Sequence, residues 1–450
     1  MKILRMSRGF MEKPLQLWII FTMYLLVASC HSKQQTISEH KPSPQEIYIS
    51  EAHQVASGND VKDAFQTIIA LNKETRDNHI LLNEIPAPPF KEEQRAKSFM
   101  QMMKQAGADS VWMDSIGNVL ALRTGVGRKG IVVVDGHLDT VFPEGTDVVV
   151  KHRGDTLYAP GISDNARSLS MMLTLMKVLN THQIRTASDI LFVGSVGEEG
   201  EGDLRGVKYL FEQMPHISSF ISIDIGGMGN ITHQAAGSLR YKITFHGPGG
   251  HSWGDFGIVS PHFAMVHALS DWDIRVADYI KGVKEKTTYS VGVVGGGTSV
   301  NSIPFESWVR VDIRSEKEEH LHKMDGMLQS AIRAAVATTN AAKKKGADLQ
   351  VSIDKIGDRP AGLTESTSPL VQRAMATAAY FGIKYDLRTS STNSNLPMSL
   401  GVPAVTLGQG GKSGGIHSLD EWWLDENGDL AIQYVLLTLM AQAGYVSFSL

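Results

Sequence analysis

Four short apolar runs, Ile131–Val134, Ile190–Val196, Phe220–Ile225 and Ala404–Leu407, lead into segments carrying side chains that bind metals. Runs of this length without polar alternation read as strands buried on both faces, which belong in a mostly parallel sheet covered by helices. Ala166–Leu179 has the length and composition of such a covering helix. Upstream, residues 48–110 read as helical, with Phe65, Ile68, Ile69 and Leu71 at helix spacing and a break at Pro86-Ala87-Pro88-Pro89. The pattern predicts an α/β fold.

Between Ser238 and Asp358 the pattern changes. Leu239–Phe245 alternates like a half-buried strand, Pro261–Tyr279 is helical, and Thr287–Val294 and Ser307–Ile313 are strands. A long helix over Glu318–Ala342 and a strand at Leu349–Ile353 follow. Strand-helix-strand-strand-helix-strand is the order of a ferredoxin-like α+β unit. The chain therefore divides into a catalytic domain in two segments, 47–237 and 359–450, with residues 238–358 inserted between them. At 450 residues it is too long for one ordinary core. A net charge of −4, with no basic tract, gives no reason to expect nucleic acid.

In an open parallel sheet, ligands bind outside the carboxyl ends of the strands. Asp135-Gly136-His137-Leu138-Asp139 follows the first run, Gly197-Glu198-Glu199-Gly200 the second, Asp224 lies at the end of the third, and a glycine-rich loop leads from the fourth to His417. The loop Ala159–Asn165 adds Asp164 just before a helix. His137, Asp164, Glu198, Glu199, Asp224 and His417 thus share one rim. Five of them suit two zinc ions with one carboxylate shared, and the sixth is free to act as a base. A helix-cap role for Asp224 and a loop histidine bonded to backbone at His417 are the alternatives.

In chain order, GHLDTV, APGISDNARS, GEEGEG, SIDIGG, GPGGHSW, NSIP, VDIRS, GDRPAG, SSTNSNLP and GGIHSLDEWW carry a resemblance over nearly the whole chain. It resembles the zinc-dependent metallopeptidase family that includes peptidase T, glutamate carboxypeptidase, aminoacylase and succinyl-diaminopimelate desuccinylase. The resemblance implies that His137 and Asp224 hold one zinc, Glu199 and His417 the other, and Asp164 both. It implies that Asp139 orients His137 and that Glu198 is the general base. The inserted domain would be a lid and homodimerisation module. Its His251 would reach the partner's active site to stabilise the oxyanion, and Asn301 and Arg314 would bind substrate. Arg359 is a further substrate-binding candidate, or an anchor of the hinge. Related members often read Ser-Thr-Asp-Ala-Asn where this chain has Ser391-Thr392-Asn393-Ser394-Asn395, which places a neutral amide, Asn393, where an acid would face substrate. The ligand types also accept cobalt or manganese.

The expected activity is exopeptidase cleavage of small peptides. Deacylation of N-acyl amino acids is the alternative, and a catalytically silent binding protein on the same fold is a second one.

At the amino terminus, Lys2, Arg5, Arg8 and Lys13 precede an apolar stretch from Leu17 to Ala28 that ends at Cys30. This is a signal-peptide layout over 1–29, with Met11 as an alternative start. Leu26–Cys30 resembles a bacterial lipobox, so Cys30, the single cysteine, is the expected lipid attachment point. Residues 30–46 would then tether the protein to the cell-envelope membrane. An ordinary secretory signal with an incidental cysteine is the alternative.

Overall fold

The computed structural model describes residues 44–447; the expected signal segment, Cys30 and the expected tether up to residue 43 lie outside the described residues. The helical region upstream of the sheet is four helices, Pro44–Ser57, Asn59–Ala70, Asn72–Asn83 and Glu93–Gln105, with the proline cluster separating the last two. Among the described residues, a nine-stranded sheet forms the centre of the molecule. Its middle is the four apolar runs: Asp189–Ser195, Ile131–His137, Ile217–Asp224 and Ala404–Gly408 lie side by side, all parallel. Antiparallel strands Ser110–Met113 and Val119–Arg123 extend one edge, and Asn230–Ala235 begins the other.

Both faces are covered, as unalternated strands require. On one face lie the four upstream helices together with Ala166–Thr181, Pro369–Tyr380 and Gly428–Ala443, around a core that includes Phe99, Val132, Val134, Leu169, Phe192, Ile221 and Leu437. The last helix is apolar almost all round and correspondingly buried on nearly every side. Helix Arg205–Gln213 closes the other face over Val133, Leu191, Val193 and Phe220.

The inserted α+β unit folds as its residue pattern predicts. Strands Gly237–His246, Thr287–Gly296, Glu306–Ser315 and Gln350–Arg359 make an antiparallel sheet, with Thr287–Gly296 on one edge. Helices Pro261–Ile280 and Glu318–Ala342 cover one face of it, around a separate core of Tyr241, Ile243, Trp272, Val311, Leu328 and Ile332. The other face of this small sheet carries Arg240, Arg310, Asp312 and Arg314. Arg310 reaches Glu201 and Arg240 reaches the Gly200 carbonyl, so that face lies beside the rim of the large sheet.

Candidate metal centre

Three of the parallel strands deliver the site from their carboxyl ends. His137 is the last residue of its strand, Asp224 the last of another, and Glu198 and Glu199 follow Ser195 by three and four positions. Gly197 makes the turn between with φ of +68°; a Cβ there would lie 2.6 Å from the Arg205 side chain. Asp164 precedes helix Ala166–Thr181, whose amino-terminal end favours negative charge. His417 arrives on the loop after Lys412–Gly414.

These side chains converge. Asp164 Oδ1 lies 2.9 Å from His137 Nε2, and its Oδ2 lies 3.0 Å from His417 Nε2. His417 Nε2 is also 3.2 Å from Glu199 Oε1, and Asp224 Oδ1 is 3.8 Å from His137 Nε2. Donor atoms of His137, Asp164 and Glu199 all fall within 4.8 Å of one another. Each oxygen of Asp164 therefore faces a different imidazole, one accompanied by Asp224 and the other by Glu199.

The electrostatics show what this cluster wants. Hydrogen bonds to Asp164 and Glu199 raise His417 to about 10. Burial opposes a charge on His137, yet Asp139, Asp164 and Asp224 hold its pKa well above the usual imidazole value. Burial likewise works against ionisation of Asp164, and the two imidazoles overcome it and keep its carboxyl well below the usual range. The carboxylates thus favour positive charge between them. The residues fit two divalent cations: one imidazole and one carboxylate on each side, a shared carboxylate between, and only nitrogen and oxygen donors.

Glu198 stands on the same rim with another partner. Its Oε1 accepts a hydrogen bond from Arg359 Nη1 at 3.0 Å, and its backbone carbonyl accepts one from Arg359 Nη2. Burial raises Glu198 to about 8 against the pull of Arg359. Arg359 is thereby drawn to Glu198, and it also reaches Ser391 Oγ at 3.4 Å. Asp139 departs from the simple expectation. The backbone oxygen of Asp139, at 3.0 Å, is what pairs with His137 Nδ1, while Asp139 Oδ1 stands 3.6 Å away. Its carboxylate instead accepts the N–H groups of Glu198 and Glu199 at 3.0 and 2.8 Å, fixing the turn that carries both glutamates.

A cavity of about 360 Å³ opens onto this cluster, lined by Asp164, Glu198, Glu199, Asp224 and His417 together with Arg240, Arg314, Arg359 and the Ser390–Thr392 segment. Three sequence candidates are not brought to it. His251 is exposed on the inserted unit, its Nδ1 accepting from the N–H groups of Trp253 and Gly254. Asn301 is exposed and bonded to Ser299 Oγ. Asn393 does not line the cavity; it is 1% exposed and directed into the sheet.

Sequence reasoning missed Glu421. This buried carboxylate accepts the N–H groups of Gly161 and Ser163, both at 2.8 Å, and of Asp164 at 3.1 Å, and so shapes the loop that presents Asp164. Burial pushes it up to about 7. From the helix Asn72–Asn83, His79 bonds the Ile162 carbonyl of the same loop through Nε2 and packs edge-on against Trp423. Glu421 follows His417 by four positions in a polar loop, and no periodicity marks such an acid as an acceptor of backbone N–H groups.

Residues 133–441 match the sequence pattern of peptidase family M20/M25/M40. A succinyl-diaminopimelate desuccinylase of Corynebacterium glutamicum is 24% identical over 351 residues, which is 76% of this chain and 89% of that protein. Among solved structures, a tripeptidase of Staphylococcus aureus is similar, with a TM-score of 0.68 and 20% identity over 82% of this chain and 98% of its own. So is a dinuclear metal-binding peptidase of Bacillus subtilis, with a TM-score of 0.60 and 15% identity over 83% of this chain and 99% of its own.

Proposed function

The chain belongs to peptidase family M20/M25/M40 and is a hydrolase of that family, and from that premise we propose that it is a di-zinc exopeptidase of di- and tripeptides, with Glu198 as general base. The observation that carries this reading is the double engagement of Asp164 by His137 and His417, with Glu198 on the same rim bonded to no imidazole. His137 and Asp224 would hold one ion, Glu199 and His417 the other, and Asp164 both.

Zinc held by these residues would polarise a carbonyl oxygen and lower the pKa of water. The residues of the chain do the rest. Glu198, which lines the cavity and is held by Arg359, accepts the proton of the attacking water and hands it to the leaving nitrogen. Asp139 holds the backbone of Glu198 and Glu199 in place. Arg359 keeps the Glu198 carboxylate aimed at the cavity, and Arg314 binds a substrate carboxylate.

His251 and Asn301 lie outside the cavity of their own chain, which fits service in the site of a second copy. Homodimerisation through the inserted unit is supported by its exposed apolar residues: Phe263, Val266 and Ile274 on one helix and Val291, Val293 and Val294 on the edge strand. Attachment to the bacterial cell envelope through a lipid on Cys30 completes the proposal.

Deacylation of N-acyl amino acids is the second reading, favoured by the desuccinylase relative. Incubating the zinc-loaded protein with a panel of di- and tripeptides and N-acyl amino acids separates the two. Peptide cleavage supports the exopeptidase, and cleavage of acyl amino acids alone selects the deacylase. Cleavage of neither under zinc supplementation rejects both.

A further inference from the structure

Arg240 lies in the alternating strand Gly237–His246, two residues before Lys242. In the fold it lies directly opposite Asp312 on the neighbouring strand, and Arg314 follows Asp312 by two residues and shares its face of the small sheet. Asp312 joins the two guanidiniums. Its Oδ1 accepts from Arg240 Nε at 3.2 Å and its Oδ2 from Arg314 Nε at 2.7 Å.

Both contacts use Nε, so the outer edges of the guanidiniums stay available. Arg240 Nη1 touches the Gly200 carbonyl at 3.1 Å, while Arg240 Nη2 and both terminal nitrogens of Arg314 have no hydrogen-bond partner among the described residues. One carboxylate cannot neutralise two cations. The third arginine of the cavity, Arg359, is already paired with Glu198, so the uncompensated positive charge lies at Arg240 and Arg314. Both line the cavity that contains Glu199 and Asp224, together with the Ser390–Thr392 segment.

We propose that Arg240 and Arg314, bridged by Asp312, form an anion clamp and that Arg240 is a specificity-determining residue selecting substrates with a second carboxylate. This rests on the hydrolase site described above and narrows its substrate to small acidic peptides, in which an acidic side chain lies near the terminal carboxylate. A planar guanidinium matches a carboxylate with two parallel hydrogen bonds. A substrate with one carboxylate satisfies one guanidinium, and a site built for both discriminates against the analogue that leaves a donor unpaired.

Two readouts test the clamp. In calorimetric titrations of the zinc-loaded protein, glutarate should bind about tenfold tighter than butyrate, and Arg240→Gln should remove most of that difference. Arg240→Lys, which keeps the charge, should restore part of it. Asp312→Asn should move glutarate affinity the other way, tightening it severalfold, and does not depend on the folding of an Arg240 variant. In turnover, the kcat/KM ratio for Gly-Gly-Glu over Gly-Gly-Gln should be about tenfold or more and should fall in Arg240→Gln.

Equal affinity for the two acids, or a preference unchanged in both Arg240→Gln and Asp312→Asn, overturns the clamp. Glutarate binding needs no turnover. Selective binding without peptide cleavage would therefore keep the clamp and reject the exopeptidase reading, whereas cleavage of both tripeptides without acid preference would reject the clamp and keep the exopeptidase.

Discussion

The Asn393 side chain donates its amide to Asp135 Oδ2 at 2.9 Å and to Ser195 Oγ at 2.8 Å, within the sheet behind the candidate metal-binding rim. Ser222 Oγ donates to the same Asp135 oxygen at 3.0 Å. Asp135 is fully buried, and burial lifts it to about 6 while these hydrogen bonds hold it down. An amide at 393 is therefore the partner of an acid at 135, which gives the neutral residue there a reason independent of substrate. Asn393→Asp would set two buried carboxylates against each other and should destabilise the protein by about 3 kcal/mol. Adding Asp135→Asn, which restores one acid and one amide, should recover most of the loss. Thermal unfolding of the two variants checks this, and a fully stable Asn393→Asp contradicts it.

Glu198 touches neither imidazole of the cluster, so its removal should separate metal binding from turnover. Glu198→Gln should keep the metal content of the parent protein and lower kcat by about 10²–10⁴-fold, the usual range for a lost general base. Metal analysis and steady-state kinetics on one preparation read both. Unchanged kcat would remove the base assignment.

Glu421 acts on the site through the backbone. Glu421→Ala leaves the N–H groups of Gly161, Ser163 and Asp164 without their acceptor. Zinc affinity, measured by chelator competition, should fall by about 10–100-fold, as it does when residues supporting a metal ligand are lost. Glu421→Gln keeps one oxygen for Ser163 and Asp164 and should fall between the two. Equal affinities in all three proteins would contradict the role.

His79 makes stability depend on pH. Burial first, and then the nearby charges of Arg167 and Arg76, lower it from 6.5 to about 3, while its bond to Ile162 works in the other direction. Between those values the unfolded chain binds a proton that the folded chain excludes. The His79 contribution is fully present above about 6.5 and is lost as pH falls, by about 1.4 kcal/mol for each unit below that point. His79→Gln should flatten this part of the stability profile relative to the parent protein. Parallel profiles from pH 7 to pH 4 in denaturant titrations would show that His79 does not carry the dependence.

Much of this was legible in the sequence because burial leaves a periodic trace. The strands at Ile131, Ile190, Phe220 and Ala404 are predominantly apolar, and the polar residues at or just after their ends had to emerge at one edge of a parallel sheet. The helix Glu318–Ala342 falls where its residue pattern predicts. Contacts made by single polar side chains between distant segments leave no such trace. Glu421 supports a loop about 260 positions earlier in the chain, Arg359 reaches back 161 residues to Glu198, and Asn393 meets Asp135 across 258. Asp139 shows a finer gap: its position two residues after His137 is visible, but which of its oxygens faces the imidazole is set by the turn at Gly197.

The most direct test of a dinuclear, metal-dependent peptidase is the zinc content of the protein measured alongside tripeptide hydrolysis before and after chelation. Two zinc ions per chain, with turnover that disappears on chelation and returns with added zinc, is the expected result. No bound metal under zinc supplementation, or turnover indifferent to the chelator, would contradict the assignment of His137, Asp164, Glu199, Asp224 and His417.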